Sequence, residues 1–317
     1  MLDRIISTIN SGRVFLLTSH VRLDGDALGS ELALYHALKN MGKEVLIYNQ
    51  DNTPDNYRFL PGSANIVNVL PDLSAYDVAF VLDCSELERI GTHASAVGKM
   101  EKIINIDHHV SNGGFCELTY IDPEASSTGE LLYRLIVHMG IVITKDMADS
   151  LYAAIITDTG GFRYRSTSRE TLFAAGDLVG KGADPQWLSE NIYENSPLEK
   201  TLLMTKSLET LSFDFNGRVA SMIVYLEFFA ATGALSEHVE GFVDIPRAIK
   251  GVDVSVFYLE VSNNFYKLSL RSKGNINVET IARRFGGGGH VNAAACEIRG
   301  ELRIIKRQVT EAIGAAL

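Results

Sequence analysis

The sequence is poor in cysteine, proline and tryptophan, with three, seven and one among its 317 residues. Cys84, Cys116 and Cys296 lie far apart with no CxxC pair, which argues against a disulfide framework or a zinc knuckle and fits a reducing compartment. No apolar run approaches the ~20 residues that cross a bilayer. Met1-Leu2-Asp3-Arg4 places an acid where a secretory leader carries basic residues, so a cytoplasmic protein without membrane partners is expected. Basic charge is also scarce, since 29 Lys and Arg against 39 Asp and Glu leave a formal net charge of -10. A surface of that sign repels polyanions and disfavours long duplex nucleic acid as a partner.

What is present is an ordinary globular composition, 46% apolar and 21% charged, long enough for about two domains of ~150 residues. The charge is unevenly placed: from Phe265 to Leu317 there are nine basic and four acidic residues, against 20 and 35 in the remainder. An acidic body suits cations and a basic end suits a small anion, although chance differences between solvated helix faces give the same arithmetic.

Read for period, the first part alternates short apolar runs with helical patterns, the mark of successive βαβ units. Strands are expected at Val14–Leu17, Val45–Tyr48, Val78–Leu82 and Ile103–Ile106, and helices at Leu28–Leu38, Thr128–Met139 and Asp146–Ile156. A helical connector from Gln186 to about Leu211 leads to a hairpin-type turn at Asn216-Gly217. β-rich segments follow at Val219–Tyr225, Val252–Val261 and Phe265–Leu270, with helices near Val278–Phe285 and Leu302–Ala316. The expected fold is therefore α/β: a parallel-sheet N-terminal domain (1–195), a helical connector (196–216) and a smaller mixed-sheet α/β domain (217–317).

The residues that terminate the strands carry the chemistry. The first strand runs into Ser19-His20 and then Asp24-Gly25-Asp26, the third ends in Asp83, and the fourth ends in Asp107-His108-His109. Asp158 closes the apolar helical run 151–156. The carboxyl ends of strands in an open α/β sheet converge on the ligand crevice, so five Asp and three His would meet there. Crowded carboxylates repel and raise one another's pKa values, a conflict that bound cations remove. Two divalent ions sharing a carboxylate activate water near neutral pH and clamp phosphoryl oxygens. Carboxylate and imidazole donors without thiolate suit Mn²⁺ better than structural zinc, with Mg²⁺ or Co²⁺ as alternatives. Each element alone has a plainer explanation, as a surface turn, a helix N-cap or a loop pair; their convergence favours the site.

These stretches, Ser19 to Ser30, Leu82 to Ser85, Asp107-His108-His109 and Thr157 to Gly160, resemble the four ordered motifs of the DHH phosphoesterase superfamily. Gly286-Gly287-Gly288-Gly289-His290-Val291-Asn292-Ala293-Ala294 is similar to the glycine-rich signature of its companion DHHA1 domain. The segments Ile106–Phe115, Ala125–Glu130 and Gly161–Thr171 are similar to the NrnA-type branch of nanoRNases and 3'-phosphoadenosine 5'-phosphate (pAp) phosphatases. Leu23 departs from a proline frequent in relatives, and Ala295-Cys296 from a common glycine; neither supplies a ligand.

The resemblance implies one metal on His20, Asp24 and Asp83, and a second on Asp26, Asp83, His108 and Asp158, with Asp83 as the bridge. It leaves His109 to contact the scissile phosphate or protonate the leaving oxygen, with Asp107 orienting a neighbouring imidazole. Family analogy makes the second domain a substrate clamp. There, four glycines let backbone N–H groups approach an anion, at Gly288 and Gly289 in particular, while Arg271, Ser272 and His290 add hydrogen bonds to a terminal phosphate. Ser126, Ser127 and Thr128 read as a helix N-terminus with Glu130 in its first turn, and holding phosphate is a weaker alternative role for it. The implied activity is cleavage of short oligoribonucleotides to mononucleotides and of pAp to AMP, by a monomer or homodimer. Cyclic dinucleotide or pApA hydrolysis, or nucleotide sensing without turnover, are the rival expectations.

Overall fold

Short runs rich in valine, isoleucine and leucine become strands because such side chains pack on both faces of a parallel sheet. The structure, a computed structural model, describes residues 1–317 and divides into two compact units, Met1–Asn195 and Ser196–Leu317.

The first unit holds strands β1 (Val14–Thr18), β2 (Glu44–Tyr48), β3 (Ile66–Val67), β4 (Val78–Leu82), β5 (Ile103–Asp107) and β6 (Leu118–Ile121). They lie in the order β3-β2-β1-β4-β5-β6, and every neighbouring pair is parallel. Helices α1 (Leu2–Ser11), α2 (Gly25–Asn40), α3 (Ala94–Val97), α4 (Thr128–His138), α5 (Lys145–Asp158), α6 (Arg169–Gly180) and α7 (Pro185–Tyr193) complete it. The chain leaves β1 towards β2 and returns on the other side at β4, so the carboxyl ends of β1 and β4 flank the point where the strand order reverses. Connections diverge there and open a crevice.

Helix α2 begins at Gly25, three residues before the expected start, because Asp24 caps it: its Oδ1 accepts from the Ala27 N–H at 3.0 Å. Asp26 thus lies in a helical first turn. The expected connector is two helices, α7 and α8 (Leu198–Leu208), interrupted at 195–197 where Pro197 has no N–H to continue a helix. Helix α6 has no counterpart in the sequence reading, since Leu172 and Phe173 on it are exposed and blur its period.

The second unit carries β7 (Ser212–Asp214), β8 (Val219–Val224), β9 (Val254–Ser262), β10 (Phe265–Ser272), β11 (Gly288–His290) and β12 (Ala293–Arg299), ordered β11-β12-β10-β9-β8-β7. The sheet is mixed, as β8 and β9 are parallel and the other pairs antiparallel. Parallel pairing of consecutive strands requires a crossover, which contains α9 (Leu226–Thr232) and α10 (Asp244–Ala248). Asn216, at φ 54, turns the chain between β7 and β8. Helices α11 (Val278–Arg283) and α12 (Leu302–Gly314) pack Ile281 and Val309 into one core with Val254, Leu268 and Leu270.

Candidate metal centre

Three helices approach closely enough to bring distant carboxylates together. A Cβ on Gly29 would lie 2.3 Å from the Ser150 carbonyl oxygen, and one on Gly129 would lie 2.4 Å from the Ala154 Cβ. Only glycine permits these contacts of α2 and α4 with α5. They place Asp26 of α2 beside the first turn of α4 and near Asp158, the last residue of α5.

Asp83 stands at the middle, 2% exposed, at the end of the fully buried β4. Its φ of 55 turns the chain sharply, a conformation that Asp tolerates better than most residues. Its Oδ2 lies 3.2 Å from His20 Nε2, which is itself 3.7 Å from Asp24 Oδ2. Its Oδ1 faces the other way, 3.6 Å from His108 Nε2. That nitrogen is also 3.4 Å from Asp158 Oδ2 and 3.8 Å from Asp26 Oδ2. The carboxylate therefore presents one oxygen to His20 and the other to His108 and to His109 Nδ1, the latter also at 3.6 Å, while His20 is shared with Asp24 and His108 with Asp26 and Asp158. His20, Asp24 and Asp83 form one group able to hold a cation, Asp26, His108 and Asp158 a second, and Asp83, His108 and His109 a third.

Hydrogen bonds fix the orientation of two of the imidazoles. His20 Nδ1 is 2.9 Å from the Val21 carbonyl, which only accepts, so Nδ1 carries a proton and Nε2 is the ring nitrogen turned to Asp83 and Asp24. His109 Nδ1 donates to the wholly buried Asp107 at 2.7 Å, and Asn112 Nδ2 donates to the other Asp107 oxygen at 2.7 Å. Asp107 thereby occupies His109 Nδ1, the nitrogen that also lies 3.6 Å from Asp83 Oδ1, and leaves Nε2 for another partner.

Electrostatics show a surplus of buried carboxylates. Burial, and then repulsion by Asp83, Asp158 and Asp24, holds Asp26 well above the usual carboxylate range. Burial lifts Asp158 to about 6 against the pull of His108, with Asp83 and Asp24 adding repulsion. Burial opposes charge on His20, yet its Asp83 hydrogen bond and the charges of Asp24 and Asp83 raise it to about 9. Asp83 itself is buried but held low by its His20 hydrogen bond and by His109 and His108. The protein's own histidine protons offset only part of this negative charge. Oxygen and imidazole donors without thiolate fit divalent cations in that place.

Several supporting residues escaped the sequence reading. The N–H groups of Thr128 and Gly129 donate to Asp26 Oδ2 and Oδ1 at 2.7 and 2.8 Å, and Thr128 Oγ1 donates to Asp83 Oδ1 at 3.0 Å. Ser127 does cap α4, accepting from the Glu130 N–H. The helix end thus holds a carboxylate of the protein, which takes up the N–H groups considered for phosphate. Asn49 links the Ser19 N–H to the fully buried Glu31, accepting at 3.1 Å and donating at 2.7 Å. A serine-rich helix start was legible; its carboxylate partner, 102 residues away, was not.

In the second unit, Arg271 of β10 and His290 of β11 both pair with Ala293 of the intervening β12, which puts the two basic side chains on one sheet face about 10 Å apart. Gly288 and Gly289 pair with β12, and a Cβ on Gly289 would lie 2.4 Å from the Ala293 carbonyl oxygen, so close strand packing alone demands glycine there. Ser272 points to the opposite, buried face, where its hydroxyl donates to the Ile276 carbonyl and accepts from Asn292 Nδ2. The structure does not bring Ser272 to the face of Arg271 and His290.

Comparison with known proteins gives matches along most of the chain. Residues 14–155 match the DHH family, N-terminal domain, and residues 220–316 match the DHHA1 domain. The bifunctional oligoribonuclease and PAP phosphatase NrnA of Thermus thermophilus is 34% identical over 95% of this chain and 89% of its own length. The protein of the same name from Bacillus subtilis is 28% identical over 94% of this chain and 93% of its own. An exopolyphosphatase-related protein from Bacteroides fragilis superposes with a TM-score of 0.92 at 33% identity, covering 99% of this chain and 95% of that one.

Proposed function

The chain belongs to the DHH family, its DHH domain followed by a DHHA1 domain, and from that membership we propose that it hydrolyses short oligoribonucleotides to mononucleotides and pAp to AMP. The Thermus and Bacillus relatives carry both activities in their names and match nearly end to end, which supports this reading over cyclic dinucleotide cleavage or silent binding.

The observation that carries the mechanism is the division of Asp83, one oxygen toward each group of donors. His20, Asp24 and Asp83 would hold one divalent cation, and Asp26, Asp83, His108 and Asp158 another, with Mn²⁺ the best match to the donors. Such cations neutralise charge developing on a phosphoryl group and make water a competent nucleophile near neutral pH. His109, held through Nδ1 by Asp107, would donate from Nε2 to the leaving oxygen as the P–O bond breaks. The Asp107 hydrogen bond raises His109 above its ordinary value, which favours the protonated ring. Thr128 and Gly129 fix Asp26, and Thr128 fixes Asp83, before any substrate arrives. Arg271 and His290, with Gly288 and Gly289 at their side, would hold the substrate's terminal phosphate. The expected setting is the cytoplasm, where such short fragments arise.

The test is a kinetic panel with Mn²⁺ or Mg²⁺ on pAp, 5'-phosphorylated oligoribonucleotides of two to about ten residues, pApA and cyclic di-AMP. Fastest turnover on pAp and the shortest linear oligomers is expected; turnover of cyclic di-AMP alone would overturn the reading.

A further inference from the structure

The segment after Asp158 is basic and aromatic in an acidic chain. From Thr159 to Arg169 it contains Arg163, Arg165 and Arg169, together with Phe162 and Tyr164, and no acidic residue. No carboxylate lies within ion-pair distance of these three guanidinium groups. Arg163 instead donates through Nε to the Gly160 carbonyl at 2.5 Å, and the Arg163 and Tyr164 N–H groups both donate to the Thr159 carbonyl at 3.0 Å. The segment is thereby curled back on the residues next to Asp158.

This curl lays the Tyr164 ring flat on Gly160: a Cβ there would lie 2.4, 2.6 and 2.7 Å from the ring's Cζ, Cε1 and Cε2 atoms. Gly160, at φ 58, lies two residues beyond Asp158, so at most ~7 Å of backbone separates them. One ring face is covered by the glycine, no other aromatic ring packs on Tyr164, and the side chain remains 52% exposed. Tyr193, 49% exposed, stands nearby with its hydroxyl donating to the Ile156 carbonyl at the end of the same helix. An exposed planar ring within a nucleotide's length of a phosphoryl-binding centre, flanked by unpaired arginines, has the makings of a single-stranded nucleic-acid platform.

We propose that Tyr164 is a stacking platform for the nucleobase of the nucleotide whose phosphate is cleaved, with the arginines of the 159–169 segment attracting the neighbouring phosphate. The platform rests on the nuclease reading above and deepens it. Stacking accepts any base, so this subsite selects nucleotides over simple phosphate esters without selecting sequence. Tyr164 touches substrate only through its base, so its removal weakens binding more than turnover.

The test uses the Mn²⁺-loaded full chain with pAp, pApA and the abasic analogue ribose 3',5'-bisphosphate. Tyr164→Ala is expected to raise KM for pAp and pApA about 10-fold or more, lower kcat less than twofold, and leave KM for the abasic compound unchanged. Tyr164→Phe and Tyr164→Trp, which keep a ring, restore KM. With Ca²⁺ in place of Mn²⁺, a 2-aminopurine dinucleotide is quenched on binding to the wild type and to the ring-bearing variants, and not to Tyr164→Ala. Equal KM for the wild type and Tyr164→Ala, or an equal rise for the abasic compound, overturns the platform while the nuclease reading stands. A wild type that neither binds nor cleaves any of these compounds overturns both.

Discussion

Gly129 donates its backbone N–H to Asp26 Oδ1 at 2.8 Å while its α-carbon rests against Ala154, so one residue both aims a carboxylate and closes the gap between two helices. Gly129→Ala would put a methyl group 2.4 Å from the Ala154 Cβ and 3.4 Å from Asp26 Oδ1. The expected result is a loss of about 1–3 kcal/mol of stability from overpacking. Metal affinity should fall about 10–100-fold as Asp26 is displaced. Thermal melting and calorimetric Mn²⁺ titration read the two effects separately, and unchanged affinity would show that Asp26 is not held from α4.

Asp83→Asn tests the shared carboxylate with little disturbance, since Asn tolerates the left-handed φ of 55 as readily as Asp. The variant should fold normally, bind less metal per chain by elemental analysis, and lose about 10³-fold in kcat. Normal turnover with full metal content would remove Asp83 from the centre of the mechanism.

Asp107→Asn addresses the proton on His109. The Asp107 hydrogen bond at 2.7 Å raises the His109 pKa, so the protonated ring persists to higher pH than usual. Without the negative charge the alkaline limb of the kcat profile should move down by about one pH unit, with the Mn²⁺ affinity altered less than tenfold. An unmoved alkaline limb would exclude His109 as the proton donor.

Glu31 gives a stability prediction. Burial pushes its carboxyl from an ordinary 4.5 up to about 8, so between those values the folded chain holds a proton that the unfolded chain has lost. Its contribution is most favourable below pH 4.5 and declines as pH rises towards 8. Glu31→Gln keeps the Asn49 hydrogen bond and removes the ionisation. It should melt about 5 °C above the wild type at pH 9, with the difference shrinking towards pH 5. A constant difference across that range would refute the assignment.

Chelation should abolish activity and lower the melting temperature at neutral pH, because Asp24, Asp26, Asp83 and Asp158 are left to repel one another. Restoring Mn²⁺ to 100 times its dissociation constant should return about 2.7 kcal/mol per site. Differential scanning calorimetry with and without Mn²⁺ measures it.

Read alone, the sequence placed His20, Asp24, Asp26, Asp83, Asp107, His108, His109 and Asp158 at one crevice. Parallel strands deliver their carboxyl ends to one edge of the sheet, and the order of apolar runs and polar ends is local information. In the second unit β8, β9 and β10 were legible as β-rich runs after the turn at Asn216, whereas β7, β11 and β12 were not. What tertiary structure decided was everything that depends on how helices rotate and how closely they pack. Examples are the clamp of Thr128 and Gly129 on Asp26 and the burial of Glu31 behind Asn49. Those contacts join residues from 18 to 103 positions apart. Hydrogen-bond directions and van der Waals gaps of a few tenths of an ångström choose among them, and neither is encoded in any local pattern of residue types.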